Sequence, residues 1–465
     1  MHEGGAERPA LRFAREVLLK GSRSSSGVLH LVSAVAILWV IVLGGVVLAA
    51  AYALGVPPWN APDEPAHYNY VRTVATTGEL PVLKPGDWDA ELLERLKSAR
   101  FPPSESIDSI RYESWQPPLF YLLASPFYQV TSHLPIQDRV AVLRLLSVAI
   151  SGVTVVLGFF AVRAVFPQDL PLQLAVAGFV AFLPMRSAIA GSINNDALAE
   201  MLATLLLMLA VQTLRTGLRR GRAILLGLIV GAALLTKMTL YGLLPLVLMV
   251  AALSPAARGK GGKSSRARLL ALAVGIALLV AGWWFVRNLM VYGGTDLFGS
   301  TRHDQVVVGQ PRPERLDSAW LTYFGSTLFR SFWGQFGWMG ILVDDRIYNG
   351  LGLVSALAAL GLVLFLARVI FEKGFVTPHQ RSSLLLMGAA VAVVVAQLLV
   401  FNLTFIQAQG RYLYPALLPI ALFFVLGLRE LMAPTHARLL LALSVVSLAL
   451  VNVACLTRFV LPYFR

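Results

Sequence analysis

The sequence predicts an all-α polytopic membrane protein with about eleven transmembrane helices and surface helices in its first outer loop. Of its 465 residues, 57% are hydrophobic and only 14% are charged, whereas charged residues make up about a quarter of a typical soluble domain. Apolar runs of bilayer length recur along the chain, and the basic residues fall in short clusters between them. The bilayer is therefore the expected solvent.

Composition also excludes some classes of function. The net charge of +14 is not concentrated in a patch or an arm, as a nucleic-acid-binding protein requires, so no nucleic-acid partner is expected. Cys455 is the only cysteine, which excludes an intramolecular disulfide and a cysteine-based metal site.

The apolar runs divide the chain into a basic tail, 1–27, and a single transmembrane domain, 28–465. The first run is longer than the core of a signal peptide, about 7 to 15 residues, so we expect it to be retained as a transmembrane helix. The fifth and sixth runs are short and share a tight turn, which leaves a compact hairpin as the alternative to two full spans. The runs cover residues 28–55, 139–165, 170–187, 196–214, 222–237, 239–254, 268–291, 347–370, 382–403, 411–429 and 437–460.

The distribution of charge predicts the orientation in the membrane. If the amino terminus is cytoplasmic, the cytoplasmic segments hold 20 Lys and Arg against 6 Asp and Glu, and the outer segments hold 19 of each. This asymmetry follows the positive-inside rule, which favours a multi-pass protein of the cytoplasmic membrane.

Residues 56–138 and 292–346 then form two long outer loops, while no cytoplasmic segment exceeds about 27 residues. A soluble nucleotide-binding domain does not fit in so short a segment, and neither G-x-G-x-x-G nor a P-loop appears at a strand-to-helix junction. We therefore expect the chemistry on the outer face.

The first outer loop carries an acidic pair, Asp63 and Glu64, at the start of a predicted helix that ends near Gly78. An aspartate in this position is a preferred N-cap, so helix capping alone is one explanation. A cap needs one carboxylate, however, and here two stand close to His67 and Arg72. The combination favours general-base chemistry on a hydroxyl group.

A second helix is predicted after the two prolines that follow Gln116. Its apolar part is about a dozen residues long and is interrupted by Pro126, which is too short to span a membrane, so we expect it to be partly embedded from outside. Glu113, Trp115 and Gln116 at its start would then lie close to the first helix.

The order of motifs is DEPAHYNYVRTVATTGELP, QPPLFYLL, a span opening with RVAVLRLLS, SINNDALAE, SFWGQFGW and QGRYLYP. This order resembles the GT-C superfamily of membrane glycosyltransferases. More narrowly, it is similar to the bacterial domain-of-unknown-function family 2142, and more distantly to the protein mannosyltransferase and aminoarabinose transferase group.

The resemblance implies a glycosyltransferase that takes a sugar from a polyprenyl-phosphate carrier in the membrane lipid and passes it to a glycan, lipid or protein acceptor outside the cytoplasmic membrane. Transfer in such enzymes usually inverts the anomeric carbon. The resemblance also implies a catalytic acidic residue in the first outer loop, matched here by Asp63 with Glu64 beside it. Relatives that modify lipid A or proteins often carry a charged residue or His before the Pro-Pro pair, where this chain has Gln116.

Two further outer segments carry candidate binding residues. Asn195 and Asp196 lie in a turn before the fourth span, where they could cap a helix, bind substrate or assist a metal ion. Arg411 opens a helix on the outer side, with Gln409 and Tyr412 as neighbours. A guanidinium there can bind a phosphate through two hydrogen bonds, or reach to lipid head groups.

Lys237 and Arg287 are further candidates for phosphate binding, with interfacial anchoring as the alternative. The aromatic run 328–340 is typical of an interfacial belt and could also form a wall for a sugar ring. Asp344 and Asp345 after it could bind a cation or stay solvated.

The mechanism expected from these residues has Asp63 as general base, with outer Arg and Lys residues compensating the charge of the departing phosphate. His67, Glu64 and Gln116 would orient the acceptor or the sugar. No metal site is assigned, because no ligand set with diagnostic spacing appears, and a divalent cation is left open. Two rivals stand: a transporter or flippase of a lipid-linked sugar, which would use ionisable groups near the midplane, and an O-antigen-ligase-like enzyme, which would not require the acidic pair.

Overall fold

A computed structural model describes residues 33–254, 262–313, 315 and 317–465, which are mostly helical. The predicted tail 1–27 lies outside these residues. Short 3₁₀ helices cover Met238–Leu243 and Gly410–Ala416, a π-helix covers Cys455–Val460, and two short strands, β1 (Gln335–Phe336) and β2 (Ile341–Leu342), pair antiparallel. The α-helices are α1 (Ser33–Gly55), α2 (Glu64–Thr77), α3 (Ala90–Ser98), α4 (Leu119–Val130), α5 (Ile136–Val165), α6 (Leu170–Phe182), α7 (Pro184–Ala190), α8 (Asp196–Thr216), α9 (Arg220–Leu234), α10 (Pro245–Leu253), α11 (Gly262–Tyr292), α12 (Ser300–Val306), α13 (Ser318–Trp333), α14 (Asp345–Phe371), α15 (Pro378–Asn402), α16 (Leu417–Glu430), α17 (Pro434–Ala454) and α18 (Leu461–Tyr463).

Eight helices in the described part of the chain are long and apolar enough to cross a membrane, and the bent pair α6 and α7 brings the count to nine. The pair is bent by 59°, because Leu183 precedes a proline and is held in the extended region, with ψ of 118°. The fifth and sixth predicted runs correspond to the helices α9 and α10. Both helices are short, as the lengths of the two runs indicated. The chain is thus a helical multi-pass membrane protein.

The core of the bundle is formed by α5, α8 and the segment Gly410–Glu430, whose apolar stretches are mostly buried. The apolar stretches of α11 and α14 are mostly exposed, as expected of helices that face lipid. Helices α14 and α16 cross at Gly361 and Gly427, where a Cβ on either residue would overlap the backbone of the facing helix. Small residues of this kind let membrane helices approach closely.

The two long loops meet at one end of the bundle. The Trp338 indole donates a hydrogen bond to the Trp59 carbonyl (2.9 Å), and the Trp88 indole donates to the Val308 carbonyl (2.8 Å). Both contacts join the first loop to the second, so their polar residues share one surface.

The turns predicted to be cytoplasmic also contact one another, at the opposite end of α5. Arg429 forms an ion pair with Asp169, and Arg368 donates to Glu430 at 2.7 Å. The long loops and these turns therefore lie at opposite ends of the bundle.

The first long loop contains the two helices that the sequence predicts. Helix α2 ends at Gly78, which adopts a left-handed backbone with φ of 74°. Helix α4 packs against α2 but, contrary to expectation, continues through Pro126. Proline leaves the carbonyl of residue i−4 without its usual donor, and here the Ser125 hydroxyl donates to that carbonyl, on Leu122, at 3.1 Å.

Candidate active site

Asp63 lies directly before α2 but its side chain does not cap the helix. Its backbone is left-handed, with φ of 64°, and its carboxylate makes no hydrogen bond to the first helical turn. Aspartate tolerates this conformation better than most residues. Oδ1 instead accepts a hydrogen bond from the Tyr112 hydroxyl (2.8 Å), and Oδ2 accepts one from the Arg411 guanidinium. Capping therefore does not explain this residue, and 22% of its side chain remains exposed.

Arg411 is held in position by its neighbours in the 3₁₀ helix. Gly410 lies against the backbone of Phe332, where a Cβ would overlap it. The Gly410 N–H donates to the Ser331 hydroxyl (2.8 Å), and the Gln409 side chain accepts a hydrogen bond from Arg411 Nε (2.7 Å). These contacts orient the guanidinium independently of its ion pair with Asp63. Only 4% of the Arg411 side chain is exposed.

A second carboxylate extends this arrangement. Asp196, the first residue of α8, accepts a hydrogen bond from Lys237 Nζ at 2.5 Å, and its other oxygen is 3.6 Å from Arg411. Carboxylates and cations therefore alternate in the order Asp63, Arg411, Asp196 and Lys237. We call these four residues the Asp63 cluster.

The charges of this cluster set the protonation of the loop residues beside it. Burial raises the pKa of Asp63, but the charge of Arg411 and the hydrogen bonds from Arg411 and Tyr112 outweigh it and lower the pKa to about 2. Burial, with the charges of Lys237 and Arg411, lowers the pKa of His67 to about 3, against the opposing effect of Asp63. At neutral pH Asp63 is therefore ionised and His67 is neutral.

Glu64 follows Asp63 in sequence but has a different environment. Its carboxylate is fully buried in an ion pair with Arg144 at 2.6 Å. It also accepts the backbone N–H groups of Trp59 (2.9 Å) and Ile193 (3.1 Å). The expected pairing of two carboxylates at one site is therefore corrected, because Asp63 and Glu64 share no hydrogen-bond partner.

Three of the predicted binding residues lie beside the cluster. His67 Nδ1 is hydrogen-bonded to the Tyr121 hydroxyl at 2.8 Å. Asn195 donates to the Gln116 side chain at 3.3 Å and to the Thr236 carbonyl at 3.1 Å, which joins the start of α4 to the residues that precede Asp196 and Lys237. These side chains form a polar wall beside the cluster.

The other predicted cations have partners outside the cluster. Arg72 forms an ion pair with Asp108 at 2.5 Å on the surface. Arg287 donates to the backbone carbonyls of residues 80–81, at 3.1 and 2.6 Å, so it fastens the chain that follows α2. Tyr412, by contrast, lies next to the cluster, with its ring centroid 5.4 Å from the central carbon of the Arg411 guanidinium.

The aromatic run 328–340 has three of its five aromatic side chains buried in the protein. Asp344 caps α14 by accepting the Arg346 N–H (2.8 Å), and Asp345 lies 3.3 Å from Arg330. No group of three His, Cys, Asp or Glu residues arranged for a metal occurs among the described residues. The members of the run that are buried, rather than facing lipid or a sugar site, are Phe332, Trp333 and Phe336.

Sequence analysis did not identify the partners of the acidic pair. The sequence contained a feature that could have identified Arg144, since a charged residue within an apolar span is expected to have a buried partner. It contained no such feature for Tyr112, because the contact of Tyr112 with Asp63 depends on the path of the loop. Glu113 was considered only as a neighbour of the first helix, although burial and the charge of Asp63 raise its pKa to about 7.

Comparisons with known proteins agree with this fold. A family model described as "Predicted membrane protein (DUF2142)" matches residues 117–420. No curated protein matches the chain. Residues 117–420 include three members of the cluster and exclude Asp63.

Solved structures of ArnT from Cupriavidus metallidurans are similar in fold. The structure bound to undecaprenyl phosphate has a TM-score of 0.50 and 15% identity, covering 91% of this chain and 73% of that chain. The apo structure has a TM-score of 0.50 and 14% identity, covering 94% and 74%. The Archaeoglobus fulgidus oligosaccharyltransferase complex with Zn and sulfate has a TM-score of 0.46 and 15% identity, and this chain covers 53% of it. The similarity to the ArnT structures shows the GT-C fold that the motifs indicated.

Proposed function

We propose that this chain, which belongs to the DUF2142 family of predicted membrane proteins, transfers a sugar from a polyprenyl-phosphate-linked donor to a glycan, lipid or protein acceptor. The observation that carries the proposal is the ionised, partly exposed carboxylate of Asp63, which is paired with Arg411 in a cluster that also contains Asp196 and Lys237. The undecaprenyl phosphate bound to ArnT, a protein of similar fold, supports a polyprenyl carrier.

Asp63 acts as the general base in this mechanism. The acceptor hydroxyl gives its proton to the Asp63 carboxylate while its oxygen forms a bond to the anomeric carbon. The bond from that carbon to the phosphate oxygen breaks, and polyprenyl phosphate leaves with the electron pair. A single displacement of this kind inverts the anomeric configuration.

Arg411 and Lys237 compensate the charge of the leaving phosphate. Both are largely buried, and charge interactions are stronger in such surroundings than in water. Arg411 also offers the forked N–H geometry that matches phosphate oxygens. His67, Gln116, Asn195 and Tyr412 bind the sugar or the acceptor around this centre.

Glu64 supports the site without entering the reaction. Its ion pair with Arg144 fixes the turn that places Asp63 in its left-handed conformation. We therefore assign Glu64 a positioning role, in place of the catalytic role expected from the sequence.

The charge distribution supports an orientation with the tail 1–27 in the cytoplasm and the Asp63 cluster outside. Loops 56–138 and 292–346 then form the outer face of one transmembrane domain, 28–465. Donor and acceptor would meet there without access to cytoplasmic nucleotides.

The test is an assay of purified protein in lipid vesicles, with labelled polyprenyl-phosphate sugars and a panel of acceptors. We expect transfer by the native chain and its loss in Asp63→Asn. The matched control is Asp169→Asn, which removes an ion-paired carboxylate at the opposite end of the bundle and should leave transfer intact. Undiminished transfer by Asp63→Asn would remove Asp63 from the mechanism.

One observation favours the alternative, a transporter or flippase of a lipid-linked sugar. Arg186 and Glu200 form a buried ion pair at 2.7 Å within the helical bundle, and ionisable groups inside the membrane are typical of transporters. Movement of a labelled lipid-linked sugar between leaflets, without acceptor and without bond cleavage, would support this alternative against the transferase.

A further inference from the structure

Glu113 carries a buried carboxylate oxygen that the mechanism above does not use. Its Oε2 atom is covered and has no hydrogen-bond partner among the described residues. A buried carboxylate oxygen without a partner is costly when it is ionised. This atom therefore favours a proton far more than an ordinary surface carboxylate does.

Glu113 also lies within the electrostatic field of the Asp63 cluster. It follows Tyr112, whose hydroxyl donates to Asp63 Oδ1 at 2.8 Å. It precedes Gln116, which contacts Asn195. The titratable and charged groups that face Glu113 from the packed elements are Asp63, Tyr112, Tyr121, Lys237, Arg411 and Tyr412.

Asp63 alone is a poor final acceptor for the proton. Its ion pair and hydrogen bonds lower its pKa to about 2, so a proton taken from the acceptor hydroxyl is held weakly. The pair with Arg411 re-forms only when that proton has left. A second group that binds the proton more strongly would draw it from Asp63 and make the transfer more favourable.

We propose that Glu113 is the second acid–base residue of this site, taking the acceptor proton from Asp63 onto its unpartnered Oε2 and releasing it to the outer solvent. The inference rests on the proposed transferase function. The bonds balance: the acceptor O–H bond breaks, the new glycosidic C–O bond forms, and the C–O bond to phosphate breaks. The proton passes from the hydroxyl to Asp63, then to Glu113, and then to water.

The protonation of Glu113 agrees with this role. Burial raises its pKa, the charge of Asp63 raises it further, and Gln116, Lys237 and Arg411 oppose these effects, which leaves it at about 7. Acid–base groups work best when their pKa lies near the operating pH. The residue as a whole is half-buried, although its Oε2 atom is covered.

The test is the pH dependence of transfer in lipid vesicles. Glu113 must be ionised to accept a proton, so kcat/KM of the native chain should fall about tenfold per pH unit below a midpoint near the Glu113 pKa. Glu113→Gln should lower the rate about tenfold above that midpoint and abolish the inflection. Glu113→Asp should restore an inflection. Glu105→Gln, a surface glutamate of the same loop, should leave the profile unchanged.

A purely structural role would lower the rate of Glu113→Gln at every pH and keep the inflection, which would overturn the proposal. A second readout does not need turnover. The infrared carboxyl band of a protonated buried acid should titrate near neutral pH in the native chain and disappear in Glu113→Gln. If the band titrates so but no donor is turned over, the transferase function fails and the titration of Glu113 stands. If the band is absent, the proton-relay role fails whatever the activity.

Discussion

The adjacent residues Asp63 and Glu64 each pair with a buried arginine, yet the two carboxylates differ in their exposure and in their hydrogen-bond partners. The Glu64–Arg144 pair is sealed, with 0% and 3% of the two side chains exposed. Its carboxylate is surrounded by backbone donors. The Asp63–Arg411 pair keeps 22% of the aspartate side chain exposed, and its arginine also approaches Asp196.

Two adjacent acidic residues can therefore form one fully buried ion pair and one that keeps part of its carboxylate exposed. The left-handed backbone of Asp63 separates the two side chains, so that one faces the helical core and the other faces the meeting point of the loops. The sealed pair lies in the turn before α2, and the open pair is the one to which we assign the chemistry.

Loss of the open carboxylate should have the largest effect on activity. Asp63→Asn removes the proton acceptor but keeps the shape, so kcat should fall about 10³-fold. Arg411 keeps Asp196 as a partner, and the unfolding temperature should stay close to that of the native chain. Single-turnover transfer and thermal unfolding in detergent measure the two effects, and a large loss of stability would mean that Asp63 is structural.

Loss of the sealed carboxylate should have the largest effect on stability. Glu64→Ala leaves Arg144 buried and unpaired, which should lower the free energy of unfolding by about 3–5 kcal/mol. Transfer per folded molecule should fall much less than in Asp63→Asn. Denaturant unfolding checks this, and a variant as stable as the native chain would contradict the scaffold role.

Removal of the cation in the open pair should affect use of the donor. Arg411→Ala should lower kcat/KM for the lipid donor about 10²-fold, because charge compensation at the phosphate is lost. Arg287→Ala is the matched control, since that arginine binds backbone carbonyls. If kcat/KM for the donor fell equally in the two variants, Arg411 would have only an anchoring role in the structure.

The smallest effect should come from a surface pair on the same helix as Glu64. Arg72→Ala breaks an exposed ion pair with Asp108, and pairs of this kind contribute about 0–1 kcal/mol. Donor and acceptor titrations should give the same constants as the native chain. A changed KM for either substrate would show that Arg72 takes part in substrate binding.

The sequence predicted the fold well, because apolar length, basic turns and helix stops are local signals. Gly78 ended α2 as expected, and the short lengths of the fifth and sixth runs were visible in advance. The predicted interruption of α4 at Pro126 was wrong. The Ser125 hydroxyl compensates for the missing N–H of the proline, and hydropathy does not indicate this hydrogen bond.

The candidate site was predicted residue by residue but not as an arrangement. Asp63, Asp196, Lys237 and Arg411 were each identified, yet their alternation comes from packing among segments far apart in the chain. The separation of the Glu64 and Asp63 side chains depends on the left-handed φ angle of Asp63. Two consecutive acidic residues in a sequence do not indicate such an angle. Tyr112 and Glu113 gained their importance only from the path of the loop.

The most direct measurement compares single-turnover sugar transfer by Asp63→Asn and by Glu64→Gln, each scaled to the amount of folded protein. We expect the aspartate variant to be nearly inactive although well folded, and the glutamate variant to be less stable and to retain transfer. An active Asp63→Asn enzyme, or equal loss of transfer in both variants, would contradict the assignment of chemistry to one neighbour and support to the other.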